Sequence, residues 1–198
     1  MEQTNFLKTV KRYSKLIVLL CASIVTTFCG NNTDFPEVNP LAGYLAASGF
    51  DEDFDAIVDG LTFEMGISFI PKVDGQIKAV VVKVPDDKVD LRITIWDKNT
   101  ATVLRTINVD VAANTELTES ITPLSLEKDK EYFITMNTND YFYRTRDDLA
   151  AVTYPFVVGD ISITSYSFES GLGQIMPTDD FYFENYSGDL SFVFQEVE

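Results

Sequence analysis

Hydrophobic residues recur at every second position over several short runs of this chain. From Val89 the apolar side chains fall at Val89, Leu91, Ile93 and Ile95, with Asp90, Arg92, Thr94 and Trp96 between them. A period of two turns one row of side chains into a core and the other toward solvent, which predicts a half-buried strand. After a polar turn at Asp97-Lys98-Asn99-Thr100 the alternation resumes as Val103, Arg105, Ile107, Val109 and Val111. Two such runs around a short polar loop predict an antiparallel hairpin. Ahead of it, Ile77 to Val84 is apolar almost throughout, as expected of a strand covered on both faces. Leu61, Phe63, Met65, Ile67 and Phe69 alternate as well, closed by Pro71.

Downstream, Leu117 to Leu126 is extended but interrupted by Pro123. Tyr132, Ile134 and Met136 face one way in the next run, with Phe133, Thr135 and Asn137 facing the other. Asn139-Asp140 is then expected to turn the chain into Tyr141-Phe142-Tyr143-Arg144. The segments 160–168 and 190–194 alternate again. Short strands with turns this closely spaced predict an all-β fold, an antiparallel two-sheet β-sandwich of jelly-roll or Ig-like type. One helix interrupts the pattern near its start. Leu41, Tyr44, Leu45 and Ala47 have near-helical spacing over Pro40 to Ser48, and Gly49 is placed to stop it.

The N-terminal third of the picture changes with charge. Residues 1–15 carry Lys8, Lys11, Arg12 and Lys15, and Leu16 to Phe28 is uncharged and mostly apolar. A basic segment followed by a short apolar run, too brief for a comfortable membrane span, predicts an export signal. The run ends at Cys29, which makes this residue the candidate for lipidation and places the protein in the bacterial outer membrane, periplasmic or surface-facing. Phe28 and Thr26 depart from the small and aliphatic residues usual before a lipidated cysteine. An uncleaved anchor and ordinary cleavage near Gly30 are the alternatives, and Cys21 is a poorer lipidation site. The expected division is a signal peptide over 1–29, a polar, proline-bearing tether over 30–39, and a single sandwich domain over 40–198.

Net charge is −16, and the first 29 residues contribute +3, leaving −19 on the rest. Such a body repels a phosphate backbone and excludes nucleic acid as a partner. Histidine is absent, and both cysteines, Cys21 and Cys29, lie in the leader. Ser/His/Asp and Cys/His catalysis, and the usual zinc, copper and haem ligand sets, are therefore excluded. Gly171-Leu172-Gly173 echoes a phosphate loop without its strand-to-helix setting. A pair of carboxylates could hydrolyse glycosides, but in a chain this acidic some pair always lies close, so no enzyme is expected.

Asp51, Asp53 and Asp55 sit in a run of carboxylates of the kind that binds calcium. EF-hand spacing is missing, so a solvated loop is the expected outcome, calcium the second reading, and no other cofactor is expected. Aromatic side chains beside polar ones suggest a different chemistry. Trp96, Tyr141 and Tyr143 could stack on sugar rings while Asn137, Asp140 and Arg144 bind hydroxyls; the competing reading places those rings in the core, where most aromatics go.

The runs Gly66-Ile67-Ser68-Phe69-Ile70-Pro71, Asp74-Gly75-Gln76-Ile77 and Thr94-Ile95-Trp96-Asp97 carry a resemblance. So do Gly49-Phe50-Asp51, Val103-Leu104-Arg105, 130–137 and Gly188-Asp189-Leu190-Ser191-Phe192. Over roughly residues 40–198 the chain resembles small bacterial lipoproteins, and related secreted modules, built on a β-sandwich domain of unknown function. Similar modules accompany cell-surface and carbohydrate-active domains in larger proteins. The resemblance implies fold and compartment and brings no catalytic residues. The expected function is a non-catalytic binding or adhesion module at the cell envelope, held to the membrane by its lipid, with a glycan as first candidate ligand. A structural subunit packed on another envelope protein is the alternative, and a carboxylate-based hydrolase the remote one.

Overall fold

A computed structural model describes residues 35–50, 52–178 and 183–198, with the side chains of 52–59 outside the description. Cys29 and Asp51 lie outside the described residues, as do the side chains of Asp53 and Asp55. The strands are β1 (Glu37–Val38), β2 (Glu52–Pro71), β3 (Gly75–Lys83), β4 (Lys88–Asp97), β5 (Thr102–Val111) and β6 (Leu117–Leu126). They continue as β7 (Tyr132–Thr145), β8 (Phe156–Val158), β9 (Ile161–Ser170), β10 (Asn185–Ser187) and β11 (Asp189–Glu196). All pairs are antiparallel. One sheet has the order β1-β11-β3-β6; the larger has β5-β4-β7-β2-β9-β8, with β10 added to β7. This is the expected two-sheet β-sandwich.

The alternating rows build the core between the sheets. Met65, Ile67 and Phe69 of β2, Ile93 and Ile95 of β4, and Ile134 and Met136 of β7 meet Ile77, Val80 and Val82 of β3 and Phe192 and Phe194 of β11 in one buried cluster. Phe69 and Phe192 cross from sheet to sheet with ring centroids 4.3 Å apart. Each such side chain, once fully buried, contributes about 1.5–3 kcal/mol.

Helix α1 (Pro40–Ser48) forms where the spacing predicts it. Asn39 caps it, accepting from the Leu41 N–H through Oδ1 at 3.2 Å, and Pro40 takes the first-turn position where no N–H is needed. Gly49, at φ 76°, closes it by donating to the Leu45 carbonyl. Leu41, Tyr44 and Ser48 form the buried face. Ser191 Oγ also donates to Asn39 Oδ1 at 2.6 Å, which ties the cap to β11.

Four local expectations are corrected. The compact unit begins at Phe35 rather than at residue 40, because Glu37 and Val38 pair with Gln195 and Phe194. The described backbone of the acidic run is strand rather than loop: Glu52, Asp53, Phe54, Ile57 and Val58 pair with β7. Asn139-Asp140 does not turn the chain. β7 runs on through it, with Thr138 Oγ1 donating to the Asp140 carbonyl at 2.8 Å. Val89, assigned to the core row, is 82% exposed, since a bulge separates the paired positions Lys88 and Leu91, with Asp90 at φ 60°. Pro123 is accommodated where β6, an edge strand, slips register against β3.

Candidate functional site

The aromatic residues of the sandwich form a connected chain of rings that reaches a cleft at one end. Tyr44 on α1 packs against Phe50, Tyr154, Phe156 and Tyr186, with centroids 5.3–6.3 Å apart. Its hydroxyl shares a 2.6 Å hydrogen bond with that of Tyr154. Tyr186 meets Tyr166 at 5.3 Å, and Tyr166 meets Phe168. Phe168 and Tyr141 both approach Phe63 edge to face, at 5.6 and 6.2 Å. Such offset and T-shaped pairs add to the burial of each ring. Burial also disfavours the phenolate, and so it raises the pKa values of Tyr44, Tyr186 and Tyr166 well above the ordinary value and pushes Tyr154 up to about 12.

The cleft has a volume of about 110 Å³ and is lined by Phe63, Met65, Tyr141, Tyr143, Tyr166 and Phe168, with Asn185 and Ser187 supplying polar groups. Along β7 the even-numbered Tyr132, Ile134 and Met136 belong to the core row. At Thr138–Asp140 the β2–β7 pairing is irregular, β2 taking five positions from Val58 to Phe63 where β7 takes two, and beyond it the odd-numbered Tyr141 and Tyr143 join Met65 and Tyr166 around the cleft. β10 pairs with the end of β7, Ser187 opposite Tyr143, and so closes one wall. Gly188 follows at φ 84°; a Cβ there would stand 2.4 Å from Met136 Cε. An apolar lining with a few polar groups is the ordinary make-up of a small-molecule seat.

The other expected ligand residues are placed elsewhere. Trp96 is 3% exposed and donates from Nε1 to Thr135 Oγ1 at 2.9 Å, on the outer face of the large sheet. Its emission is therefore expected to be blue-shifted and weakly quenched by acrylamide; free quenching would contradict this placement. Asn137 shares that face and donates to the Gly171 carbonyl at 3.1 Å. Arg144 makes a two-pronged ion pair with Asp189, Nε to Oδ1 at 2.8 Å and Nη2 to Oδ2 at 2.7 Å. Asp140 is 1% exposed; it accepts from the Asp86 N–H at 2.9 Å and lies 3.8 Å from Lys88 Nζ. The cleft thus brings together Tyr141 and Tyr143 and leaves Trp96, Asn137, Asp140 and Arg144 in separate settings.

Phe63, Phe168, Asn185 and Ser187 are cleft residues that sequence reasoning missed. Phe63 and Phe168 were legible as strand aromatics, but only the β2–β9 pairing, which sets Met65 opposite Phe168, brings them together. A larger open hollow of about 420 Å³ lies at the end of α1, lined by Ala46 to Gly49 and Arg146 to Asp148. There Arg146 is taken up by Asp148, at 2.9 Å for both contacts, which holds the Asp148 carboxyl down at about 2. Among the described residues no group of three or more carboxylates is placed to hold a metal ion, and no helix is long and apolar enough to cross a membrane. In comparisons with known proteins, the chain matches no family model and no curated sequence.

Proposed function

We propose that this chain is an exported, lipid-anchored envelope protein whose sandwich is a non-catalytic binding module, with the ligand seated in the aromatic cleft. The observation that carries this reading is the convergence of Phe63, Tyr141, Tyr143 and Phe168 on one small opening that also holds Asn185 and Ser187. Ring faces meet the C–H surface of a sugar, and a carboxamide and a hydroxyl meet its hydroxyls, so the end of a glycan is the ligand class this chemistry favours. Export and lipidation at Cys29 are supported by the basic and apolar leader, and the reading agrees with the resemblance to envelope lipoproteins.

A hydrolase would need two carboxylates facing across the site. The cleft lining contains none among the described residues. The test is a glycan-array screen of the wild type and Tyr143→Ala, paired with metabolic fatty-acid labelling of the wild type and Cys29→Ser. Saturable binding lost in Tyr143→Ala, by about tenfold or more from a lost stacking contact, is the expected result. Binding that Tyr143→Ala leaves unchanged would overturn the assignment of the cleft.

A further inference from the structure

Along β7 toward the cleft, the ladder with β4 ends at Arg92 opposite Asn137. Just beyond, β4 bulges between Lys88 and Leu91, and the β2–β7 pairing is irregular between Val58 and Phe63. Backbone pairing is thus interrupted on both sides of residues 138–140, immediately before the two tyrosines of the cleft. A strand segment with few ladder hydrogen bonds opens locally more readily than a fully paired one.

A cluster of three side chains occupies this interruption. Lys88 Nζ donates to Asn139 Oδ1 at 3.0 Å and stands 3.8 Å from Asp140 Oδ2. The Asp140 side chain is 1% exposed and that of Lys88 23%. The Asp86 N–H holds Asp140 Oδ2 at 2.9 Å, while Oδ1 is buried and has no hydrogen-bond partner among the described residues. A buried carboxylate oxygen left in that state is costly, and the hydrogen bonds drawn here do not account for it. An amine, a carboxamide and a shielded carboxylate within reach of one another are a nucleophile, an electrophile and a base. Together they are the groups that forming an amide requires.

We propose that the folded chain joins Lys88 to Asn139 by an isopeptide bond, with Asp140 as the proton carrier. Asp140 first takes a proton from the Lys88 ammonium, which turns a shielded ion pair into a neutral one. The lone pair freed on Nζ then attacks Asn139 Cγ. Asp140 gives its proton to Nδ2 and takes a second one from Nζ as the Cγ–Nδ2 bond breaks. The departing ammonia picks up this proton and leaves as ammonium, so Asp140 ends ionised as it began. One C–N bond forms and one breaks, with no oxidant and no second reactant. Folding supplies the rate, because an amine and an amide held in contact react as though highly concentrated. The bond ties β4 to β7 where their ladder stops, and so steadies the half of β7 that bears Tyr141 and Tyr143.

The test is tryptic mapping by mass spectrometry of the full chain, shown to be folded by circular dichroism and then denatured. The expected product is a branched peptide joining residues 84–92 to residues 131–144, lighter than the two together by one ammonia, with no cleavage after Lys88. Asn139→Ala, which keeps the lysine and the carboxylate, should restore that cleavage and abolish the branched peptide. Asp140→Ala should slow its appearance after refolding at least about a hundredfold. A folded wild type that yields residues 131–144 unmodified and is cut fully after Lys88 overturns the proposal, whether or not Asp140→Ala folds. A branched peptide that forms at the wild-type rate in Asp140→Ala overturns the part given to the carboxylate.

Discussion

Replacing Asp189 with Asn is expected to destabilise the protein by about 3–5 kcal/mol, because it removes the carboxylate that the buried Arg144 guanidinium meets through two hydrogen bonds. The two side chains are 11% and 6% exposed and meet through paired hydrogen bonds between β7 and β11, one from each sheet. In a domain of this size that loss lowers the Tm by about 10 °C or more. Replacing both residues with leucine is expected to recover most of it, since an apolar pair of similar volume needs no compensation. Thermal unfolding of the single and double variants checks this. Were Arg144 a solvent-facing sugar ligand, its partner's loss would stay within about 0.5 kcal/mol.

Alkaline pH is expected to unfold the protein cooperatively. Tyr44, Tyr154, Tyr166 and Tyr186 all have pKa values raised mainly by burial. A phenol is neutral when protonated, so the folded chain holds these protons to higher pH than the unfolded chain does. The stability they confer is complete below the ordinary value near 10 and is lost as pH climbs toward the folded values. With four such groups ionised only in the unfolded chain, stability falls by about 5 kcal/mol per pH unit. A domain with about 5–15 kcal/mol in hand then unfolds between about pH 11 and 13. Phenolate absorbance and circular dichroism followed together should show these four of the nine tyrosines ionising only as the fold is lost. Reversible ionisation of all nine with the sheet signal intact would contradict the buried aromatic chain.

Much of the sandwich was legible because its strands are half-buried and the period of two is written directly in Leu91 to Ile95 and in Tyr132 to Met136. The helix was legible from spacing and its glycine stop. What failed was local geometry that pattern does not encode. A bulge removed Val89 from the core, and an irregularity in the β2–β7 pairing at Thr138–Asp140 precedes the two tyrosines of the cleft. Parity placed Trp96 on the polar row correctly, but nothing in the alternation shows that residues 171–177 would cover that row. Arg144 read as available for a ligand because its partner is 45 residues away in sequence. Of the expected ligand residues, Tyr141 and Tyr143 lie together in one cleft, and the rest of its lining comes from strand pairing.

The claim that the aromatic cleft is the binding seat is tested most directly by methyl NMR with carbon-labelled methionine. The chain has four methionines: Met1, Met65 in the cleft wall, Met136 beside Gly188, and Met176 between β9 and β10. Titration with the glycan selected by the array should shift the Met65 methyl signal saturably and leave that of Met176 in place. Movement of Met176 with Met65 unchanged, or no movement of either at saturating ligand, would contradict the cleft as the seat.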